Sequence, residues 1–305
     1  AQLFDPNVYR VALMDQRGCG KSRRTGNSGD QLDDNTTWSL VEDLEKLREH
    51  LGHEKWVVSG GSWGSCLAFA YAAKYPERVL GIALRAACFF RDEELEFFLG
   101  PGPGARTSKP EDWTRLTSWI KQEELSSARS IAKAFRTAFL GGSAELSPED
   151  AVTKWINWEN SLTGAPPTNV GSEQGATIST FGPVVPALPP AWPKFEKPPL
   201  AKGKNWPVLE RSMQALLTMH YVAEGGFLPD GTSLIEDARK FNFPTFLVHG
   251  RNDSVCSVKN AEEVAKALPQ GELMLTDGGH SQWDSANISA FVEATDRLAW
   301  QVMAT

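Results

Sequence analysis

The chain has 305 residues, a formal charge of −7, and 41% hydrophobic against 23% charged residues. At this length a single large core removes about three quarters of the extended-chain surface from water, and the composition excludes global disorder or a coiled coil. The acidic balance argues against nucleic acid as a partner, because binding to phosphates draws on a surplus of lysine and arginine.

Four cysteines, Cys19, Cys66, Cys88 and Cys256, stand far apart with no C-x-x-C pair. That spacing reads as isolated thiols in a reducing, cytoplasmic setting rather than a disulfide framework or a zinc or iron–sulfur centre. No run approaches the roughly 18 apolar residues of a membrane span, and no signal-peptide pattern opens the sequence, so no membrane partner is expected.

In chain order, the apolar run Tyr9 to Met14 predicts a strand ending in the glycine-bearing turn DQRGCGKS (15–22). Leu40, Val41, Leu44, Leu47 and Leu51 then recur at spacings of three and four. They predict an amphipathic helix with threonines at its start and Gly52 at its end. WVVS (56–59) predicts a buried strand, GGSWGS (60–65) a turn, CLAFAYAAKYP a small-residue helix stopping before Pro76, and ERVLGIALRAA another strand. Late in the chain FPTFLVHG (243–250), VKNAEEVAKALP (258–269) and ELMLTDGG (272–279) repeat strand, helix, strand.

This alternation predicts an α/β fold with a parallel sheet and crossover helices. Between the halves lie aromatic helical pieces, EDWTRLTSWIKQ, SARSIAKAFRTAFL and PEDAVTKWINWENS, with no period-two alternation. The expected organisation is an α/β core from 1–90 and 241–305 and an inserted, mainly helical cap over 91–240. Within the cap, 164–207 is rich in proline and glycine, which denies long helices or central strands and leaves either a winding surface loop or a rim over a pocket.

Gly60-Gly61-Ser62-Trp63-Gly64 fits the G-x-S-x-G nucleophile elbow between a predicted strand and a predicted helix. Small neighbours at Gly60 and Gly64 are expected to relieve crowding where the serine takes strained backbone angles. A serine hydroxyl needs a base, and that base needs an orienting acid. His280 follows the last predicted strand and Asp253 follows FLVHG, so both emerge at the edge of the sheet that carries Ser62. Ser62, Asp253, His280 is the α/β-hydrolase chain order; Asp277 is the competing acid, disfavoured because it shares a loop with His280. Trp63 N–H is the expected first oxyanion donor. DQRGCGKS has neither G-x-x-x-x-G-K-[ST] nor a G-x-G-x-x-G opening a helix, so no phosphate site, cofactor or metal is expected.

The runs DQRGCGKS (15–22), DNTTWSLVEDLEKLREHLG (34–52), GGSWGS (60–65), AYAAKYPERV (70–79), HGRNDSVC (249–256), GGHS (278–281) and ATDRLAW (294–300) resemble the prolyl aminopeptidase (proline iminopeptidase) family of α/β-hydrolases. WINWEN (155–160) and HYVAEGGF (220–227) keep outlines of family segments in the cap. The resemblance implies Ser62 as nucleophile, Asp253 as acid, His280 as base, and metal-free release of N-terminal proline from peptides.

Two departures stand out. The family's His-Gly-Gly-Pro-Gly oxyanion loop belongs upstream of FDPNVYRVALMDQRGCG and is absent, and GPGPG at 100–104 is no substitute. The expectation is a chain that begins one or more strands late, its absent strand lying centrally between those leading into DQRGCG and GGSWGS. In the cap, Thr218 of LLTMHYV stands where relatives carry a glutamate thought to hold the substrate's ammonium. Glu159 and Glu224 remain as acidic alternatives, and Trp155 and Trp158 either form an apolar wall for a substrate ring or pack the cap core.

The leading expectation is therefore a serine hydrolase acting through an acyl-enzyme on a small peptide or acyl substrate. An esterase or amidase for small neutral substrates and an inactive binding protein are the alternatives, with oligomeric state left open.

Overall fold

The computed structural model describes residues 3–22, 32–163, 206–228 and 232–304. The Pro/Gly-rich stretch 164–207 thus lies outside the described residues apart from the helix start at Trp206. Four parallel strands form one sheet in chain order: β1 (Trp56–Gly61), β2 (Val79–Arg85), β3 (Thr245–Gly250) and β4 (Gly271–Thr276). Helices α1 (Thr37–His50) and α2 (Trp63–Lys74) precede and follow β1. Between β2 and β3 the described residues form α3 (Asp92–Leu99), α4 (Ala105–Ser108), α5 (Pro110–Thr117), α6 (Ala128–Phe139), α7 (Pro148–Thr163), α8 (Trp206–Ala223) and α9 (Thr232–Ala238). Helix α10 (Val258–Ala267) joins β3 to β4, and α11 (Ser285–Met303) follows β4.

The local signals act as their chemistry requires. Thr36 caps α1, its hydroxyl accepting the Ser39 N–H at 3.2 Å, and Gly52 takes φ 72° just past the helix end, a conformation that costs glycine little. Strand β3 is buried at all its positions, as a parallel strand covered on both faces must be. Alternation along β2 sends Ile82 and Leu84 into the large core with α1 and α2, and Ala83 into a second cluster with Phe246, Val248, Phe291, Ala294 and Leu298 against α11. Helix α2 is apolar nearly all round, and Cys66, Phe69 and Tyr71 are fully buried.

The strand expected at Tyr9 to Met14 is not formed. Those residues are irregular, Leu13 is 81% exposed, and the outer edge of β1 is unpaired among the described residues. An apolar run becomes a strand only beside another backbone, and this segment is held by side chains instead. Tyr9 Oη donates to the Thr295 carbonyl of α11 at 2.6 Å, Phe4 packs edge-on against Phe291, and Arg17 grips Asp43 of α1 through two 2.7 Å bonds.

All four cysteines are free thiols, and no helix among the described residues is long and apolar enough to cross a membrane.

Phe246, 1% exposed, lies in the α11-side cluster with the guanidinium of Arg297 over its ring. Phe246→Ala should lower unfolding stability by about 3–5 kcal/mol, read from the midpoint of urea denaturation at unchanged slope.

Candidate active site

Ser62 occupies the turn between β1 and α2 with φ 55° and ψ −124°, a conformation costing about 1–3 kcal/mol that the surroundings must impose. Its N–H donates to the Arg85 carbonyl at 3.1 Å. Its carbonyl accepts from the Ser65 N–H and from Ser65 Oγ, at 2.8 and 2.6 Å. Ser65 Oγ in turn accepts the Cys88 N–H at 3.0 Å, tying the elbow to the chain leaving β2.

Gly60 is required sterically, because a Cβ there would stand 2.3 Å from the Gly64 carbonyl oxygen; at Gly61 a Cβ would meet the Arg85 stem at 2.7 Å. Gly64 differs from expectation. A Cβ there meets no described atom within 4 Å, so the crowding is relieved by Gly60 and Gly61 and only the Gly64 backbone takes part.

Asp253 and His280 come together at the same sheet edge. His280 Nδ1 lies 2.8 Å from Asp253 Oδ2, and Asp253 Oδ1 accepts the Val255 and Cys256 N–H groups, each at 2.8 Å. Burial alone would raise the Asp253 carboxyl, but the hydrogen bond and charge of His280 and the Cys256 N–H hold it below the usual carboxylate range. Asp277 contributes only its carbonyl, which accepts from Asn252 Nδ2. No hydrogen bond joins Ser62 Oγ to His280; the hydroxyl lies 3.9 Å from Cys256 Sγ. An imidazole oriented by a buried carboxylate at the sheet edge that carries a serine on a strained turn is the kind of arrangement that general-base chemistry requires.

Two contributors escaped the sequence reading. Cys256, whose thiol is pushed upward by its hydrogen bond with Cys88 and by burial, is the group beside the Ser62 hydroxyl. His249, buried at the end of β3, accepts the Ala87 N–H at Nδ1 (3.1 Å) and donates from Nε2 to the Cys256 carbonyl (2.9 Å), bracing the Asp253 loop as a neutral ring whose charging burial disfavours. A histidine directly after the apolar run Phe246, Leu247, Val248 of a buried strand was the available signal. Asp253, Cys256 and His280 offer donor atoms within 4.8 Å of one another, the described cluster nearest to cation-binding geometry, and the 2.8 Å Asp253–His280 bond already engages two of them.

The remaining candidates separate. Trp63 opens α2, where its N–H has no intrahelical acceptor. Its indole donates to Gln16 Oε1 at 3.0 Å and packs against Phe90 and Tyr221, at 4.8 and 4.5 Å between ring centroids. Trp155 and Trp158 offer no wall to a cleft: they are 0% and 1% exposed, and Trp155 packs edge-on against Phe98. They lie on the face of α7 that is buried with Val152 and Ile156, so packing consumes them. Thr218 is half-buried on α8, its hydroxyl donating to the Gln214 carbonyl, and Glu224 is paired with Arg136 at 2.8 Å. Glu159 lies one turn before Leu162, whose carbonyl accepts from Ser254 Oγ of the Asp253 loop at 3.0 Å. Burial pushes its carboxyl up to about 7 against the opposing charge of Arg211. GPGPG at 100–104 packs back on α3, where a Cβ on Gly104 would strike the Phe97 carbonyl.

The glycine geometry separates two similar substitutions. Gly60→Ala should destabilise the chain by about 1–3 kcal/mol through the Gly64 clash, whereas Gly64→Ala should be neutral or stabilise α2 by up to about 1 kcal/mol. Thermal melting of the two variants side by side reads the difference.

Residues 1–285 match the α/β-hydrolase fold family. Over 297 residues the chain is 36% identical to the proline iminopeptidase of Xylella fastidiosa, covering 97% of this chain and 82% of that protein. It is 31% identical over 296 residues to the proline iminopeptidase of Neisseria meningitidis, with the same 97% and 82% coverage. Against the proline iminopeptidase of Arabidopsis thaliana it is 31% identical over 299 residues, covering 97% of this chain and 68% of that protein. With its elbow and strand order in keeping, the chain belongs to the proline iminopeptidase family of α/β-hydrolases.

Proposed function

We propose that this chain is a serine hydrolase that releases N-terminal proline from peptides through an acyl-enzyme, with α3 to α9 as a cap over the site. The observation that carries the reading is the pairing of Ser62 at a φ of 55° with the 2.8 Å Asp253–His280 bond at one sheet edge. In the proposed reaction His280 Nε2 takes the Ser62 proton as Oγ attacks the scissile carbonyl, and Asp253 holds Nδ1–H and stabilises the imidazolium. Trp63 N–H receives the developing oxyanion, a contribution of about 100- to 1,000-fold for one such donor. His280 then protonates the leaving amine, and water deacylates Ser62 by the same route.

A stoichiometric fluorophosphonate adduct on Ser62, absent in Ser62→Ala, is the expected result. No labelling of the wild-type chain would favour a binding protein without catalysis. Asp253→Asn should lower kcat about 10,000-fold, because the amide no longer enforces the productive imidazole tautomer.

Glu159 is the acid we assign to the substrate's ammonium. Because its carboxyl sits raised at about 7, it is neutral below that value and charged above it, so affinity for a cationic amine rises with pH. Between about pH 6 and 7.5, below the α-amino range of about 7.7–8.0, KM for proline p-nitroanilide should fall roughly five- to tenfold. Glu159→Gln should flatten that fall; a KM already independent of pH in the wild type would remove Glu159 from the assignment.

A second reading, an esterase or amidase for small neutral substrates, draws support from the commitment of the Thr218 hydroxyl to Gln214 and of Glu224 to Arg136. Faster turnover of simple acyl esters than of proline p-nitroanilide would favour it.

A further inference from the structure

Arg85 closes β2 and belongs to none of the groups assigned above, yet it touches both sides of the proposed reaction centre. Its main-chain carbonyl accepts the Ser62 N–H at 3.1 Å. Its side chain lies flat against Gly61, where a Cβ would come within 2.7 Å of Cγ and Nε, and Nη1 donates to the His280 carbonyl at 2.9 Å. The β2 and β4 strands are separated by β3, a distance of about 9.6 Å across the sheet, so only a long side chain bridges from β2 to the loop after β4. The guanidinium has no carboxylate within ion-pair distance among the described residues, in contrast to Arg91, which holds Glu94 and Glu263. A partly buried cation without such a partner is costly. Burial does lower its pKa, and the nearby Asp253 carboxylate is among the groups that offset this.

We infer that Arg85 is a positioning residue that sets the distance between Ser62 and His280, fixing the nucleophile turn through its carbonyl and the main chain of the base through its guanidinium. The inference rests on the serine-hydrolase reading and names what holds its two halves in register. The β2–β3 pairing carries the same logic one strand further. Residue 87 reaches the Asp253 loop through His249, and residue 85 reaches the His280 loop directly. A lysine at 85 keeps the charge but lacks the planar fork that places a donor at a defined point.

The test uses the full chain with Arg85→Ala and Arg85→Lys. Misplacement of a reacting group by about 1 Å costs up to about 100-fold. Arg85→Ala should therefore lower kcat and the limiting rate of fluorophosphonate labelling by about 10- to 100-fold, with KM changed less than about twofold. Guanidinium ion in the millimolar range should restore part of the rate where equal sodium chloride does not, and Arg85→Lys should fall between. A rate within about threefold of wild type in Arg85→Ala overturns the inference, as does a loss that neither lysine nor guanidinium relieves and that tracks a lowered melting temperature. The low-field Nδ1–H proton resonance of His280 supplies a readout independent of turnover. It should broaden or disappear in Arg85→Ala and return with guanidinium; its persistence unchanged would also overturn the positioning role. Absence of wild-type labelling with the resonance still responding to Arg85 would defeat the hydrolase reading alone.

Discussion

The parallel pairing of β2 with β3 is the constraint on which the molecule depends. Arg85 stands beside Val248 in that register although the two lie far apart in sequence. Val248 is fully buried and Arg85 partly so, in a sheet layer that helices cover on either face. Parallel strands end together, so this register, with the β1–β2 and β3–β4 pairings on either side, delivers Ser62, the 85–88 segment, Asp253 and His280 to a single edge. It also confines everything between α3 and α9 to one crossover, whose aromatic residues join one continuous core with the sheet and α2.

The elbow converts that edge into a chemically poised one. A positive φ at Ser62 persists only because several contacts oppose its relaxation: the Arg85 carbonyl on one side, Ser65 on the other, and two glycines that let backbone and the Arg85 stem approach closely. Asp253 is held by comparable means, with two backbone N–H groups on one oxygen and the imidazole on the other. The acid is thereby kept ionised despite burial, which in turn keeps the imidazole in one orientation.

Much of this was legible from local pattern. Apolar runs and period-3.6 hydrophobicity located β1 to β4, α1, α2 and α10 to within a few residues, and a position at a separate strand end favoured Asp253 over Asp277, which shares a loop with His280. The failures share a cause, since each depended on what lies opposite a residue in space. Tyr9 to Met14 has strand composition, but strand formation is a property of a pair, and side chains anchor this segment where no backbone adjoins it. Trp155 and Trp158 read equally as pocket wall or core because a helical stripe does not say which surface it meets. Gly64 looked sterically necessary by position in the motif, whereas the crowded Cβ directions belong to Gly60 and Gly61. The contact of Ser62 with Cys256 and the bridge from Arg85 to His280 arise only when loops from separate strands converge, and no spacing in the sequence encodes them.

The surroundings of Trp63 show how the helices between β2 and β3 bear on the elbow. Its indole is fixed by Gln16 from the turn before α1, by Phe90 from the segment after β2 and by Tyr221 from α8. Tyr221 is itself anchored, its hydroxyl donating to Asn35 Oδ1 at 2.8 Å, while the His220 ring meets the Asn35 carbonyl at 3.1 Å and the Asn35 side-chain amide donates to the Arg17 carbonyl. Helix α8 and the 15–22 turn are thus clamped through one asparagine, and their joint contact is the side chain of the residue after Ser62. A backbone donor stabilises a developing oxyanion only to the extent that it does not reorient as charge appears. By holding the indole from three directions, the fold restrains the first peptide of α2, whose N–H is the oxyanion donor in the reaction proposed above.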